Sequence, residues 1–148
     1  MFDPKLSDVR RFFCGIWRKH RDRLPLEPLE AIALDWILEH PEYHRDLDDP
    51  EAAIAADYSP QAGKSNPFLH LSLHLAVSEQ LSIDQPPGIR ALVQGLEHRL
   101  GSAHAAAHRA QECLAQTLWQ AQRDGRPPDQ QAYLACLGKA AGVPPSAG

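Results

Sequence analysis

Apolar residues recur along most of this chain at intervals of three and four, the spacing of one face of an α-helix. Val9, Phe12, Phe13, Ile16 and Trp17 form one such stripe behind Ser7, a good N-cap, and predict a helix over 7–22. Leu29, Ile32, Ala33, Trp36 and Ile37 repeat it over 28–39, with Pro28 suited to a first helical position. Pro41 ends that segment, a short turn of helix carries Tyr43, His44 and Leu47, and Asp49-Pro50 opens a second short helix through Ala56. Residues 57–66 are loop by composition.

The segment Leu69-His70-Leu71-Ser72-Leu73-His74-Leu75 alternates between apolar and polar, which is a strand signal. Three features outweigh it: Asn66 is an N-cap with Pro67 behind it, the apolar residues are unbranched leucines, and the run continues through Leu81. A largely buried helix over 67–82 is therefore predicted. Ile83-Asp84-Gln85-Pro86-Pro87-Gly88 reads as a stiff connector. A helix bearing Ile89, Leu92, Val93, Leu96 and Leu100 follows, and Gly101 and Ser102 are placed to end it and cap the next, over 102–123, which stops at Asp124-Gly125; one long helix broken only mildly at Gly101 is the alternative. Asp129 caps a final helix through Ala140. The predicted fold is all-α, a single irregular helical bundle of about five to seven helices over residues 1–141, with a flexible tail at 142–148.

The bulk numbers leave that picture intact. A chain of 148 residues buries a core without staples. It carries no apolar run approaching the ~20 residues of a membrane span, and no apolar segment typical of a signal peptide at its start. The net charge of -4 conceals an asymmetry: residues 1–24 hold seven basic and three acidic residues, whereas 27–51 hold nine acids and one base. Without a stacking module or a DNA-reading motif, the basic first helix reads as a solvated face docked on the acidic stretch rather than a nucleic-acid surface. Cys14, Cys113 and Cys136 match neither a disulfide framework nor a Cys-x-x-Cys motif, and Cys113 is expected as a buried thiol; with the lack of a membrane span or signal segment, this points to a reducing, cytoplasmic compartment. Trp17, Trp36 and Trp119 lie on apolar stripes and are expected in the core.

The histidines change the picture. Six of the eight fall into three His-x-x-x-His pairs, His40/His44, His70/His74 and His104/His108, where random placement would give about 0.4 pairs. Four residues apart on a helix puts two imidazoles ~5–6 Å apart on one face, within reach of one ion. Glu112 continues the register of His104 and His108, while Glu79 lies about 140° round from His74 and is poorly placed. His40, just before Pro41, sits where the register breaks and is expected to point elsewhere, whereas His44 can swing in. His20 and His98 sit among charged neighbours and read as solvent-exposed. The expected metal ligands are His44, His70, His74, His104, His108 and Glu112, holding iron or zinc.

Three segments are distinctive beyond their helical pattern: His40-Pro41-Glu42-Tyr43-His44, Asn66 through Leu75, and Glu79 through Arg90. They resemble a small bacterial family catalogued as a domain of unknown function, family 1841, from the first helix through Cys136. The resemblance implies a bacterial cytosolic protein and brings no activity or ligand with it. At the level of architecture, five histidines and a carboxylate from three segments resemble hemerythrin-like di-iron bundles. Those sites bridge two irons with two carboxylates, and here Glu112 alone is well placed, with Glu97, Asp57 and Asp84 as weaker candidates. A mononuclear site of three or four ligands, similar to that of small DinB-type bundles, is the alternative.

The function that follows is metal binding in the bundle interior, serving redox or dioxygen chemistry with iron and hydrolysis or sensing with zinc. The alternative is a non-enzymatic helical adaptor that docks a protein partner through the basic first helix or the Pro-Pro-Gly loop. No Ser/His/Asp or Cys/His constellation and no phosphate-cradling glycine loop stands out, so catalysis without a metal is not expected.

Overall fold

The structure, a computed structural model, describes residues 4–58 and 66–143, which are helical throughout apart from turns and connections. In order these are α1 (Pro4–Arg21), α2 (Pro28–Leu38), a 3-10 turn (Pro41–Tyr43), α3 (His44–Asp48), α4 (Pro50–Ala55), α5 (Pro67–Ile83), α6 (Ile89–Leu100), α7 (Ala103–Asp124) and α8 (Gln130–Ala140). The all-α class is as expected. The described residues hold eight α-helices rather than five to seven; the excess is the two short pieces α3 and α4, which form where expected, after Pro41 and at Pro50. The helix expected to begin at Ser7 starts three residues earlier, at Pro4. Residues 59–65 of the expected loop and 144–148 of the expected tail lie outside the described residues.

The chain resolves into two compact units, Met1–Leu75 and Ala76–Gly148, with the boundary inside α5. In the first unit α1 packs on α2, α3 and α4. Its stripe supplies Phe13, Cys14 and Ile16 to a core completed by Ala33, Ile37, Leu47, Ala53, Phe68, Leu71 and Leu75. The basic face of α1 is docked on the acidic segment as charge complementarity requires. Lys19 Nζ reaches Glu30 at 2.8 Å and Arg21 reaches Asp48 at 2.6 Å. Arg10 acts on backbone instead: one guanidinium nitrogen donates to the carbonyls of Ala53, Ile54 and Ala56 at 2.9, 3.1 and 3.0 Å. It thereby satisfies the orphan carbonyls at the end of α4, and it lies over the Tyr58 and Phe68 rings.

The alternating segment is helical, and the cap is the reason. Asn66 Oδ1 accepts from the N–H groups of Phe68 and Leu69 at 3.0 and 3.1 Å, starting α5 in a register that buries Leu71, Leu73, His74, Leu75 and Val77.

In the second unit α6, α7 and α8 pack pairwise. The connector before α6 is structural: Asp84, at φ 52°, accepts from the N–H of Arg90 at 2.9 Å, and the Arg90 guanidinium donates to the Leu81 and Ser82 carbonyls. Hydrogen bonding to Arg90 N–H, and then to Gly88 N–H, holds the Asp84 carboxyl below the usual range, and the same bonds commit it to the connector. Gly101 (φ 79°) closes α6, and the Ser102 hydroxyl accepts from Ala105 N–H to start α7, so these are two helices.

Two expectations are corrected here. Cys113 and Cys136 are not thiols: they form a disulfide joining α7 to α8, with Cα atoms 5.8 Å apart across a sequence separation of 23. No local motif announces it, because antiparallel packing, not spacing, brings the two positions together. Trp119 is not in the core but 56% exposed, its ring covered by the Arg123 guanidinium at 4.9 Å. Its stripe faces inward only as far as Thr117, and the C-terminal turns of α7 stand in solvent.

Candidate metal centre

Three imidazoles of the first unit meet nitrogen to nitrogen. His70 Nε2 lies 3.1 Å from His40 Nε2 and 3.0 Å from His74 Nε2. All three ligand atoms lie within 4.8 Å of one another. His74 is fully buried and His40 nearly so, while His70 is half-buried. His70 and His74 are one turn apart on α5, so the pair follows directly from the helix that the Asn66 cap initiates.

His40 arrives by another route. It is the residue between α2 and the 3-10 turn, at φ -127° and ψ 66°, outside any helical register. Its Nδ1 lies 2.7 Å from the Trp36 carbonyl, the fourth residue back on α2. The carbonyl can only accept, so Nδ1 carries the proton and Nε2 of the neutral ring presents a lone pair to His70. The expectation that His40 points elsewhere is thus corrected. The break at Pro41 frees the side chain from helical geometry, and the Trp36 carbonyl then orients it.

The protons make this arrangement unusual. A neutral imidazole nitrogen offers either one N–H or one lone pair. His70 Nε2 faces two other ring nitrogens at hydrogen-bond distance, and His40 Nε2 is already committed as an acceptor. With neutral rings at most one of the two contacts is therefore a linear hydrogen bond. A cation accepting three lone pairs resolves the conflict. The spacing suits this: at Zn–N bonds of ~2.0–2.1 Å, neighbouring ligand nitrogens lie ~3.4 Å apart in a tetrahedron and ~3.0 Å in an octahedron.

Aromatic rings fix the cluster from outside. Trp36 stacks on His74 with centroids 4.1 Å apart and planes 6° from parallel, so one residue of α2 holds His74 by its ring and His40 by its carbonyl. Tyr43 stacks on His40 at 5.2 Å and meets His70 edge-on at 5.8 Å. Burial, and then Glu42 and Asp46, push the Tyr43 phenol above its ordinary pKa. Trp36 and Tyr43 were legible as apolar positions but carry no signal of their role.

The other expected ligands are placed as follows. The His44 Nε2 lies 2.9 Å from the Ile37 carbonyl and its ring stacks on Trp17 at 4.0 Å, so it braces the α1 side of the unit and is not brought to the cluster. In the second unit, His104, His108 and Glu112 follow one another along α7 as the spacing implies; His104 and Glu112 are exposed and His108 is half-buried. His108 Nδ1 lies 3.1 Å from the His104 carbonyl, which fixes the proton on Nδ1 and leaves Nε2 as the lone-pair nitrogen. Glu79, His20 and His98 are exposed, as their positions imply. Among the weaker carboxylates Asp84 is held in the connector and Glu97 is exposed.

The family described as Domain of unknown function (DUF1841) matches residues 5–139. No curated protein and no solved structure matches the chain. With all but the two ends of the chain matched, this protein belongs to the DUF1841 family.

Proposed function

We propose that this protein binds a single divalent transition-metal ion, zinc or iron, through His40, His70 and His74. The observation that carries the reading is the convergence of three imidazole Nε2 atoms, that of His70 lying 3.1 Å from that of His40 and 3.0 Å from that of His74. The Nδ1–H of His40 on a backbone carbonyl is the outer-shell bond that metal-ligating histidines typically make. Three neutral ligands leave the full charge of the ion uncompensated, so a bound metal would polarise a water or a carbonyl strongly, as three-histidine zinc sites do. Hydrolytic or Lewis-acid chemistry fits this set better than a carboxylate-bridged di-iron centre, since the three ligands include no carboxylate.

The sequence also nominated His44, His104, His108 and Glu112, and their ligation rests on spacing alone. Of these His108, with its lone pair on Nε2, is the strongest proposal for a further ligand, and His44, engaged with Ile37, is the weakest. A cytoplasmic location is part of the proposal on the strength of the family resemblance, the argument from free thiols having fallen with the Cys113–Cys136 bridge. No helix among the described residues is long and apolar enough to cross a membrane.

Cobalt(II) titration of untagged, chelator-treated protein tests the reading. Visible d–d bands should saturate at one equivalent and disappear in His70→Ala, whose far-UV circular dichroism should stay helical. His108→Ala should weaken binding only if that residue is also a ligand. Absence of bands in the wild type, or an unchanged titration in folded His70→Ala, would leave the adaptor reading standing.

A further inference from the structure

The disulfide of the second unit sits in a cleft of a particular character. Cys113 and Cys136 line a hollow of about 540 Å³ together with Arg99, Arg109, Lys139 and Gln116, and no acidic side chain lines it. The two residues differ in exposure: Cys113 is fully buried and Cys136 is partly exposed. The Arg109 guanidinium, one turn before Cys113 on α7, lies 3.7 Å from the Cys113 sulfur. A disulfide flanked by three cations is an ordinary structural bridge unless something comes to it. The cations specify what that is, because they concentrate anions and repel cationic reagents.

We propose that this cleft is a thiol–disulfide exchange site for a small anionic thiol. The thiolate of the incoming molecule attacks the sulfur of Cys136, the more exposed of the two residues; the Cys113–Cys136 bond breaks and its electron pair leaves on Cys113. The departing Cys113 thiolate forms beside the Arg109 guanidinium, which stabilises it and makes it the better leaving group. A second anionic thiolate attacks its partner's sulfur in the mixed disulfide and releases Cys136. Two small thiols are oxidised to one small disulfide, the protein disulfide is reduced to two thiols, and the two protons of the small thiols end on Cys113 and Cys136. Arg99 and Lys139 act by drawing the carboxylates of the reagent into the cleft. The proposal does not depend on the metal centre.

The experiment compares how fast 3-mercaptopropionate (anionic), 2-mercaptoethanol (neutral) and cysteamine (cationic) open the bridge in the oxidised full-length protein. EDTA is present throughout, and each rate is normalised to thiolate concentration. At low ionic strength the anionic thiol should react about tenfold faster than the neutral one, and the cationic thiol slowest of the three. High salt, or Lys139→Gln with Arg109→Gln, should collapse the differences. In Cys113→Ser treated with the disulfide of mercaptopropionate, 3,3′-dithiodipropionate, exchange should leave a mercaptopropionyl adduct on Cys136 and release one mercaptopropionate thiolate, and mass spectrometry should find that adduct. If that variant fails to fold, the same adduct is sought by acid-quenching the wild-type reaction, where it should again sit on Cys136. Equal normalised rates for the three thiols, a bridge that opens only in denaturant, or an adduct confined to Cys113 would overturn the proposal.

Discussion

Trp36 is the residue on which the candidate centre turns. It contributes a ring face to His74 and a carbonyl to His40, and only the first depends on its side chain. Aromatic stacking of this kind contributes about 0.5–1.5 kcal/mol beyond area burial. Trp36→Leu should therefore leave the three ligands in place while weakening metal affinity about tenfold, measured by competition with a chromophoric chelator. Unchanged affinity would mean that the ring only fills space. Cys14 gives a second test at this scale. Burial, and then Asp49 and Asp46, push its thiol from 9.0 up to about 11, so at pH 8 about one part in a thousand is thiolate. With Cys113 and Cys136 bridged, native protein should take up iodoacetamide hundreds of times more slowly than unfolded protein does. Because the folded state holds this proton longer, its contribution to stability is complete below pH 9 and falls as pH rises toward 11. Alkylation at the rate of a free cysteine would place Cys14 outside the core. What was legible at this scale followed from helical register. His70 and His74 were readable because both ride one helix; His40 was not, because its position depends on a non-helical residue and on a carbonyl that no side-chain pattern records.

At the level of elements, capping chemistry carried more information than apolar periodicity. The stretch from Leu69 to Leu75 has the alternation of a strand, and Asn66 decides against it by capping α5 with two hydrogen bonds. Removing that cap in Asn66→Ala should cost about 1 kcal/mol and lower the melting temperature by roughly 2–4 °C. Asn66→Asp and Asn66→Ser keep an acceptor and should retain most of it. A loss no larger than that of an exposed surface substitution would show that packing alone holds the helix. Prolines at 28, 41, 50 and 67 and the glycines at 101 and 125 marked boundaries correctly because each acts through local backbone geometry. The Cys113–Cys136 bridge and the exposed end of α7 depend on how helices are laid against one another, and local pattern is silent on that.

For the whole molecule, a ligand that binds only the folded state raises stability by mass action, by about 2.7 kcal/mol at a hundredfold excess over Kd. Zinc-loaded protein at pH 7.5 should therefore melt several degrees higher than the same protein in EDTA, and His74→Ala should melt identically in both. The same scan reads the single-domain expectation for residues 1–141. One transition supports it; two would assign separate stabilities to the units Met1–Leu75 and Ala76–Gly148, with the metal dependence confined to the first. The most direct measurement is elemental analysis of untagged protein purified after growth in iron- and zinc-replete medium, for the wild type and for His70→Ala. The expected result is close to one zinc or iron per wild-type chain, and almost none in the folded variant. Metal-free wild type that also takes up none on reconstitution, or equal metal in the two proteins, would contradict the assignment of His40, His70 and His74 as a metal centre.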